Sequence, residues 1–293
     1  MKILTAILIA SLFFAGCTKY NLDDDNIIGE GDSRLTLTIS PFETGDFGIN
    51  PASRIGINEV CTRIGFAVFD ANNKKVASAN QNVKDAGFGT ISANISNGVY
   101  DVVIVAHSTG GNTTIAKPDS IRFADNKLSD IFTYHEKINV NGNVSKQITM
   151  KRSVAMFRLV LEERIPTEVK QLKFYYTGGS SALNAVTNLG KINSRQTEII
   201  DVPQEAYTQS SNIFEVYTIP HEINDALKMT VTGLGADGST IIAEKIFEEV
   251  PVTQGKITIY KGIMFDGNSG ASESPFSLSL TTNDVWTEQT YNF

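Results

Sequence analysis

Apolar and polar residues alternate with period two along most of this chain, and stripes at helical spacing are scarce, so the pattern predicts strands. Leu35, Leu37 and Ile39 alternate with threonines. Ile64, Phe66 and Val68 alternate again, and Asp70-Ala71-Asn72-Asn73 supplies turn chemistry before an extended run over 75–83. Residues 95–106 place Gly98 at a bend ahead of a β-branched run, and residues 146–162 are long enough for two strands sharing a junction. Further strands are expected over 169–177, 212–219, 227–232, 240–247, 256–265, 276–280 and 285–293. One short helix is expected, with Ser181 as its cap, Ala182, Ala185, Val186 and Leu189 on one face, and Gly190 as its stop.

The strands recur at the spacing of β-sandwiches, are too many for one sheet, and lack the alternating helices of a parallel α/β sheet. The fold expected is therefore all-β, built from antiparallel β-sandwich domains with little helix. Lys151-Arg152 lies between two apolar runs and divides the strands about evenly, which gives an N-terminal sandwich over 34–152 and a C-terminal one over 153–293. One long strand inside a single larger sandwich is the alternative.

The first seventeen residues bear on compartment. Residues 1–16 carry one lysine, then an apolar run from Ile3 to Ala15 broken only by Thr5 and Ser11, then small residues, which is the pattern of a secretory signal peptide. The run is shorter than the ~20 residues a membrane-spanning helix needs. Ala15-Gly16-Cys17 resembles a bacterial lipobox, in which Cys17 becomes the lipidated first residue of the mature chain. Residues 17–33 are polar and acidic, with Asp23, Asp24 and Asp25 in a row, and read as a solvated tether; such a run also resembles the export signal of surface lipoproteins in gut and oral anaerobes. With Cys17 acylated only Cys61 remains, so no intramolecular disulfide is available and packing must hold the fold.

Composition narrows the function classes. A 293-residue chain with 41% hydrophobic and 19% charged residues has enough apolar surface for two cores, which excludes a disordered chain. Its 25 basic against 32 acidic side chains give a formal charge of −7, and loss of Lys2 with the signal peptide makes this −8, so nucleic acid is not an expected partner. No catalytic set is legible. His107, His135 and His221 are the only histidines, none at metal-ligand spacing from another or from a cysteine, and neither a metal nor a cofactor is expected. His107-Ser108 lacks a nucleophile elbow and reads as the close of a strand. The run from Gly233 to Gly238 spells G-x-G-x-x-G, but strand-like residues follow it and Asp237-Gly238 is a hairpin turn, so it is not read as a dinucleotide site. Glu162-Glu163 and Glu248-Glu249 point to opposite faces of a strand and cannot pair as glycosidase acids. Tyr175, Tyr176, Tyr207, Tyr217, Tyr260 and Trp286 could stack on a sugar, although packing inside a sandwich explains them as well.

Read in order, several stretches resemble the fimbrillin and fimbrium-anchor superfamily of type V pili in gut and oral anaerobes. They are the lipobox at Cys17, the early strand from Arg34, residues 97–106 (NGVYDVVIVA), residues 150–159 (MKRSVAMFRL) with Arg152 two places before Val154-Ala155, residues 214–220 (FEVYTIP) and residues 250–265 (VPVTQGKITIYKGIMF). The resemblance implies two tandem transthyretin-like sandwiches and a non-catalytic structural subunit, whether anchor, stalk or accessory, of a cell-surface fimbria with a role in adhesion. It implies other fimbrial subunits as partners, the outer membrane through lipid on Cys17, and a host or bacterial surface ligand. Assembly would proceed by strand exchange: a trypsin-like protease cuts after an arginine, the first strand leaves, and the groove takes a strand from the next subunit. The strand carrying Leu35, Leu37 and Ile39 is the candidate for exchange, Arg54 in a loop-like segment the first candidate for the cut, and Arg34 the second. Residues 285–293 are a candidate donor, against the simpler reading that they complete their own sheet. A surface lipoprotein binding glycans through a sandwich face is the alternative function, and a hydrolase comes last for want of an acid, base or metal set.

Overall fold

The computed structural model describes residues 29–43, 54–265 and 277–279. In chain order the first half contains β1 (Ser33–Ile39), β2 (Phe42–Glu43), β3 (Arg54–Ile55), the single-turn helix α1 (Ile57–Val60), β4 (Arg63–Phe69), β5 (Lys75–Asn82), β6 (Thr90–Ile95), β7 (Gly98–His107), β8 (Thr114–Lys117), β9 (Ser120–Arg122), β10 (Phe132–Val140), β11 (Val144–Ile148) and β12 (Lys151–Arg152). The second half contains β13 (Ala155–Leu161), β14 (Gln171–Ser180), β15 (Ala182–Asn184), β16 (Leu189–Gly190), β17 (Ser194–Asp201), β18 (Asn212–Pro220), β19 (Asp225–Leu234), β20 (Ile241–Val252), β21 (Ile257–Gly262) and β22 (Ser277–Ser279).

The two halves repeat one topology. In the first, β1 lies between β11 and β6, and this sheet faces a second one ordered β12-β10-β7-β4-β5. In the second, β13 lies between β21 and β18, opposite strands ordered β20-β19-β14-β17, with β14 also touching β18 at Gly179 and Ser180. Leaving aside the short strands β12 and β22 at the sheet edges, each half is a seven-strand sandwich in which the first strand borders the fourth and the seventh. The first and seventh strands run parallel in both halves, β1 with β11 and β13 with β21, while every other ladder between these fourteen strands is antiparallel. The two parallel pairs join strands about a hundred residues apart, a pairing that periodicity does not reveal.

Burial explains the residue choice strand by strand. Leu35, Leu37 and Ile39 of β1 meet Phe66, Val102 and Ile104 in the first core. Phe157, Leu159, Phe174, Tyr176 and Val231 fill the second. The opposite faces of β4 and β7 (Ala67, Phe69, Val103, Val105) and of β13, β18 and β21 (Met156, Ile219, Ile257, Ile259) form a third cluster shared by the halves. β7 is covered on both sides, which is why Val102 to Ala106 is an unbroken apolar run and not an alternating one.

Residues expected to form a helix from Ser181 instead make β15 and β16, and β15 pairs with β9 of the other half (Leu183↔Ile121) in a sheet ordered β16-β15-β9-β8. Two local features defeat the helix. The Asn184 side chain accepts the Val186 N–H at 2.9 Å, closing an Asx turn, and Asn188 sits at φ +58°. The face expected for that helix is split: Ala182 and Ala185 are buried, Leu189 is half-buried and Val186 is exposed, while Leu183, which lay off that face, joins the shared cluster. Likewise, the expected pair of strands over 146–162 is three, because Lys151–Arg152 break off to pair with Thr133 and Phe132 of β10.

Candidate functional site

β1 is where the sequence and the fold converge. Its inward face is Leu35 and Leu37, both fully buried, and Ile39 at 7% exposure. Burying three such side chains stabilises this seat by on the order of 5–9 kcal/mol. Its outward face is threonine, with Thr36 Oγ1 3.0 Å from Ser92 Oγ on β6. Both backbone edges are occupied, Leu35 to Ile39 lying beside Val144 to Ile148 of β11 and Ser33 to Thr38 beside Ile95 to Thr90 of β6. Were β1 absent, β6 and β11 would border a slot lined below by apolar side chains and along both rims by unpaired N–H and C=O groups, the chemistry that captures an extended peptide.

The ends of the slot differ. At the start of β1, Ser33 Oγ donates to Asn97 Oδ1 at 2.6 Å and the Arg34 N–H to Asn143 Oδ1 at 2.9 Å. Just before it, Gly29 and Gly31 lie so close to β6 that a Cβ on either would come within 2.1 Å of the backbone of Asn94 or Ile95. At its far end the Ile39 N–H donates to the Gly89 carbonyl at 2.9 Å and the Ser40 N–H to the Ile148 carbonyl at 2.8 Å, with the Thr90 hydroxyl 3.4 Å from that of Thr38. The Asn97 and Asn143 side chains were legible only as turn formers, beside Gly98 and Gly142.

Leu35, Leu37 and Ile39 therefore lie together on the buried face of β1, with Arg34 exposed on the same strand. Arg54 is not in a loop. It begins β3, and its backbone pairs with Glu43 of β2 because Phe42 and Ile55 align as the next pair of the same short ladder. Cys17, the tether before Gly29, Trp286 and the strand expected over 285–293 lie outside the described residues.

The other sequence candidates resolve into structure. Ser108 Oγ donates to the Val60 carbonyl at 3.3 Å, whereas His107 Nδ1 is engaged by Thr109, so the two do not form a nucleophilic pair. Burial and the nearby Arg63 charge hold the His107 pKa down to about 4. Burial pushes the Cys61 thiol well above its usual range, leaving it unreactive. The run ending in Asp237-Gly238 is the β19–β20 hairpin, with Gly238 at φ +67° and the Asp237 carboxylate accepting the Ser239 and Thr240 N–H groups at 3.0 and 2.8 Å. Glu163 accepts the Phe265 N–H at 2.9 Å and Glu162 pairs with Lys261 at 2.7 Å, on opposite sides of the chain. Tyr176 is buried and its hydroxyl donates to the Tyr217 carbonyl at 2.7 Å, while Tyr175 is exposed on the outer sheet of the second half. Asp101 joins His135 at 2.9 Å and Lys137 at 2.8 Å; burial opposes its ionisation, but these two partners outweigh it and hold its carboxyl below the usual range. Among the described residues no group of three or more His, Cys, Asp or Glu could hold a metal ion, and no helix is long and apolar enough to cross a membrane.

Comparison with known proteins places this architecture. No curated protein matches the chain. A candidate adhesin from Bacteroides thetaiotaomicron VPI-5482 is 12% identical, with 89% of this chain and 99% of that one covered at a TM-score of 0.50. The fimbrial anchor protein Mfa2 from Porphyromonas gingivalis is 8% identical, covering 87% and 99% at 0.48. A fimbrial assembly protein from Parabacteroides distasonis ATCC 8503 is 14% identical, covering 85% and 94% at 0.42. At such identity the first likeness is one of fold, and the all-β sandwich architecture expected from the fimbrillin resemblance is the one observed. A family description, the family of unknown function DUF6562, matches residues 70–273, and the chain belongs to that family.

Proposed function

We propose that this chain is a non-catalytic structural subunit, whether anchor, stalk or accessory, of a cell-surface fimbria that assembles by β-strand exchange and serves adhesion. In this reading residues 1–16 are the signal peptide, lipid on Cys17 anchors the chain in the outer membrane, 17–33 are the tether, and the sandwiches span 34–152 and 153–293. The observation that carries it is the seat of β1. The strand lies between two others in a sheet, supplies three buried aliphatics to the core, and is the first strand among the described residues, so a single cut could free it. Its counterpart β13 occupies the same place in the second half but is tied into the fold on both sides, to β12 before it and β14 after it.

The two candidate cuts have different consequences. Cleavage after Arg54 would free β1 together with β2. Cleavage after Arg34 would leave Leu35, Leu37 and Ile39 in place and remove Ser33 and Arg34, the first two residues of β1, with the lipidated tether. An anchor would be cut at neither and keep its lipid. Intact-mass measurement of surface material, with a gel of unboiled sample beside it, separates these cases: a mature chain beginning at Ile55 in heat-resistant multimers supports exchange, and a chain that keeps β1 yet forms such multimers refutes it.

A second reading, a surface lipoprotein that binds glycans, is favoured by Tyr175, whose ring is exposed on the outer sheet in a row with Thr197 and Thr230. Oligosaccharide binding to the monomer that disappears in Tyr175→Ala would support it.

A further inference from the structure

The strand between β6 and β11 must select a register, and its apolar pattern cannot do so. β1 repeats every two residues (Leu35-Thr36, Leu37-Thr38, Ile39), and β6 opposite it carries Ile91, Ala93 and Ile95 at the same period. A slip of one residue would turn every aliphatic side chain outward, but a slip of two keeps Leu and Ile on the core and hydroxyls on the surface. The discrimination has to come from the ends.

Toward the far end the Thr90 hydroxyl lies 3.4 Å from that of Thr38, but a slip of two would set Thr36 against Thr90 or Thr38 against Ser92, another hydroxyl pair, so the contacts that read position are at the near end. Asn143, in the turn before β11, accepts the Arg34 N–H, and Asn97, in the turn before β7, accepts both the Ser33 hydroxyl and the Gly142 N–H at 2.9 Å. Asn97 thereby ties the two turns together across the mouth of the slot. We propose that Asn97 and Asn143 are register-setting positioning residues, deciding which residue of the occupying strand stands opposite which residue of β6 and β11. A slipped strand would still find ladder partners, but the Asn97 and Asn143 acceptors would meet the wrong atoms.

For an occupant from a second copy, which rests on the exchange reading, the same geometry specifies the partner. It is an extended segment running parallel to β11, with a small hydroxyl residue at the Ser33 position, a backbone N–H and hence no proline at the Arg34 position, and aliphatic side chains at the Leu35, Leu37 and Ile39 positions.

Disulfide trapping in the full chain tests the assignment without any assembly step. Thr36→Cys is combined in turn with Ser92→Cys, which is in register, and with Thr90→Cys or Asn94→Cys, each two residues out. With both asparagines present only the 36–92 bond should form on mild oxidation. In the Asn97→Ala/Asn143→Ala background the 36–90 or 36–94 bond should rise about tenfold or more, as expected for losing hydrogen bonds worth roughly fivefold each. Asn143→Asp, which retains an acceptor, should restore the single product, which a merely loosened fold would not do. Where the double variant does not fold, Asn143→Ala alone gives the same readout. Off-register bonds that stay at the starting level in a folded variant overturn the proposal. In-register trapping together with an uncleaved mature chain would remove the exchange reading and leave the register assignment standing.

Discussion

Arg152 and Asp130 form a two-point ion pair where the halves meet, Nε to Oδ1 at 2.7 Å and Nη2 to Oδ2 at 2.6 Å, with the guanidinium stacked 4.8 Å from the centre of the Phe132 ring. The Arg152 side chain is 8% exposed. Next to it, Ser153 Oγ lies 2.6 Å from Thr133 Oγ1 and donates to Asn188 at 2.7 Å, while Asn188 Nδ2 donates back to the Arg152 carbonyl at 3.0 Å. The chain thus passes between sandwiches through a network and not a free linker. Arg152→Ala should destabilise the protein by about 3–5 kcal/mol, since it leaves the Asp130 carboxylate partly buried and unpaired. Arg152→Lys should recover only part, because an ammonium cannot make the two-point contact. Denaturant unfolding of the two variants measures this, and equal stability of Arg152→Ala and the parent would show the pair to be idle.

Acid sensitivity should be traceable to His107. Its Nδ1 accepts the Thr109 N–H at 3.2 Å, its ring meets Phe123 edge-on at 5.8 Å, and Nε2 has no hydrogen-bond partner among the described residues. The ring is held neutral, with a pKa of about 4 against an ordinary value near 6.5, because burial and the Arg63 charge disfavour the cation. A depressed folded pKa means that the contribution is complete above pH 6.5 and is lost as pH falls towards 4, to a limit of about 3 kcal/mol. His107→Asn, which keeps an acceptor for Thr109, should flatten the stability profile between those pH values. An unchanged slope in the variant would assign the acid loss to other groups.

The strands were legible where one or both faces are buried, and the errors have local causes. β1, β4 and β7 were readable because Leu35, Phe66 and the run from Val102 to Ala106 carry the periodicities of strands covered on one or two faces. The 181–190 segment was misread because its apolar residues fit a helix equally well, and the deciding groups were Asn184, Asn188 and a partner strand some sixty residues earlier, β9. Of the candidate site, β1 could be found from Leu35, Leu37 and Ile39. Its neighbours could not, since the pairing with β11 joins positions 35 and 144. Asn97 and Asn143 were hidden for a simpler reason: Asn beside Gly forms turns whether or not its side chain also holds a strand.

Gly178 is the point at which β14 changes partner. It has φ +97° at the register shift between Tyr176 and Gly179, and a Cβ there would fall 2.4 Å from the Ala226 carbonyl oxygen. Gly178→Ala combines a left-handed backbone with a clash against another strand, so it should destabilise by about 2–5 kcal/mol. Thermal unfolding checks the size. A loss below about 1 kcal/mol would mean that the bulge relaxes without strain.

Gly31 offers a test of how the approach to β1 is held. A Cβ at this position would lie 2.1 Å from the Ile95 carbonyl carbon and 2.2 Å from the Ser96 nitrogen, both main-chain atoms that cannot turn aside. Gly31→Ala must therefore lift the chain from the end of β6, and with it the neighbouring Ser33 hydroxyl from Asn97. The far end of β1, held by the Ile39 and Ser40 main-chain bonds, is untouched. Hydrogen exchange should consequently speed up at the Arg34 and Leu35 amides by about tenfold, while amides near Ile39 change little, because the loss is confined to one or two hydrogen bonds at the near end. Uniform acceleration along the strand would instead show that β1 opens as a unit and that its two ends are not held independently.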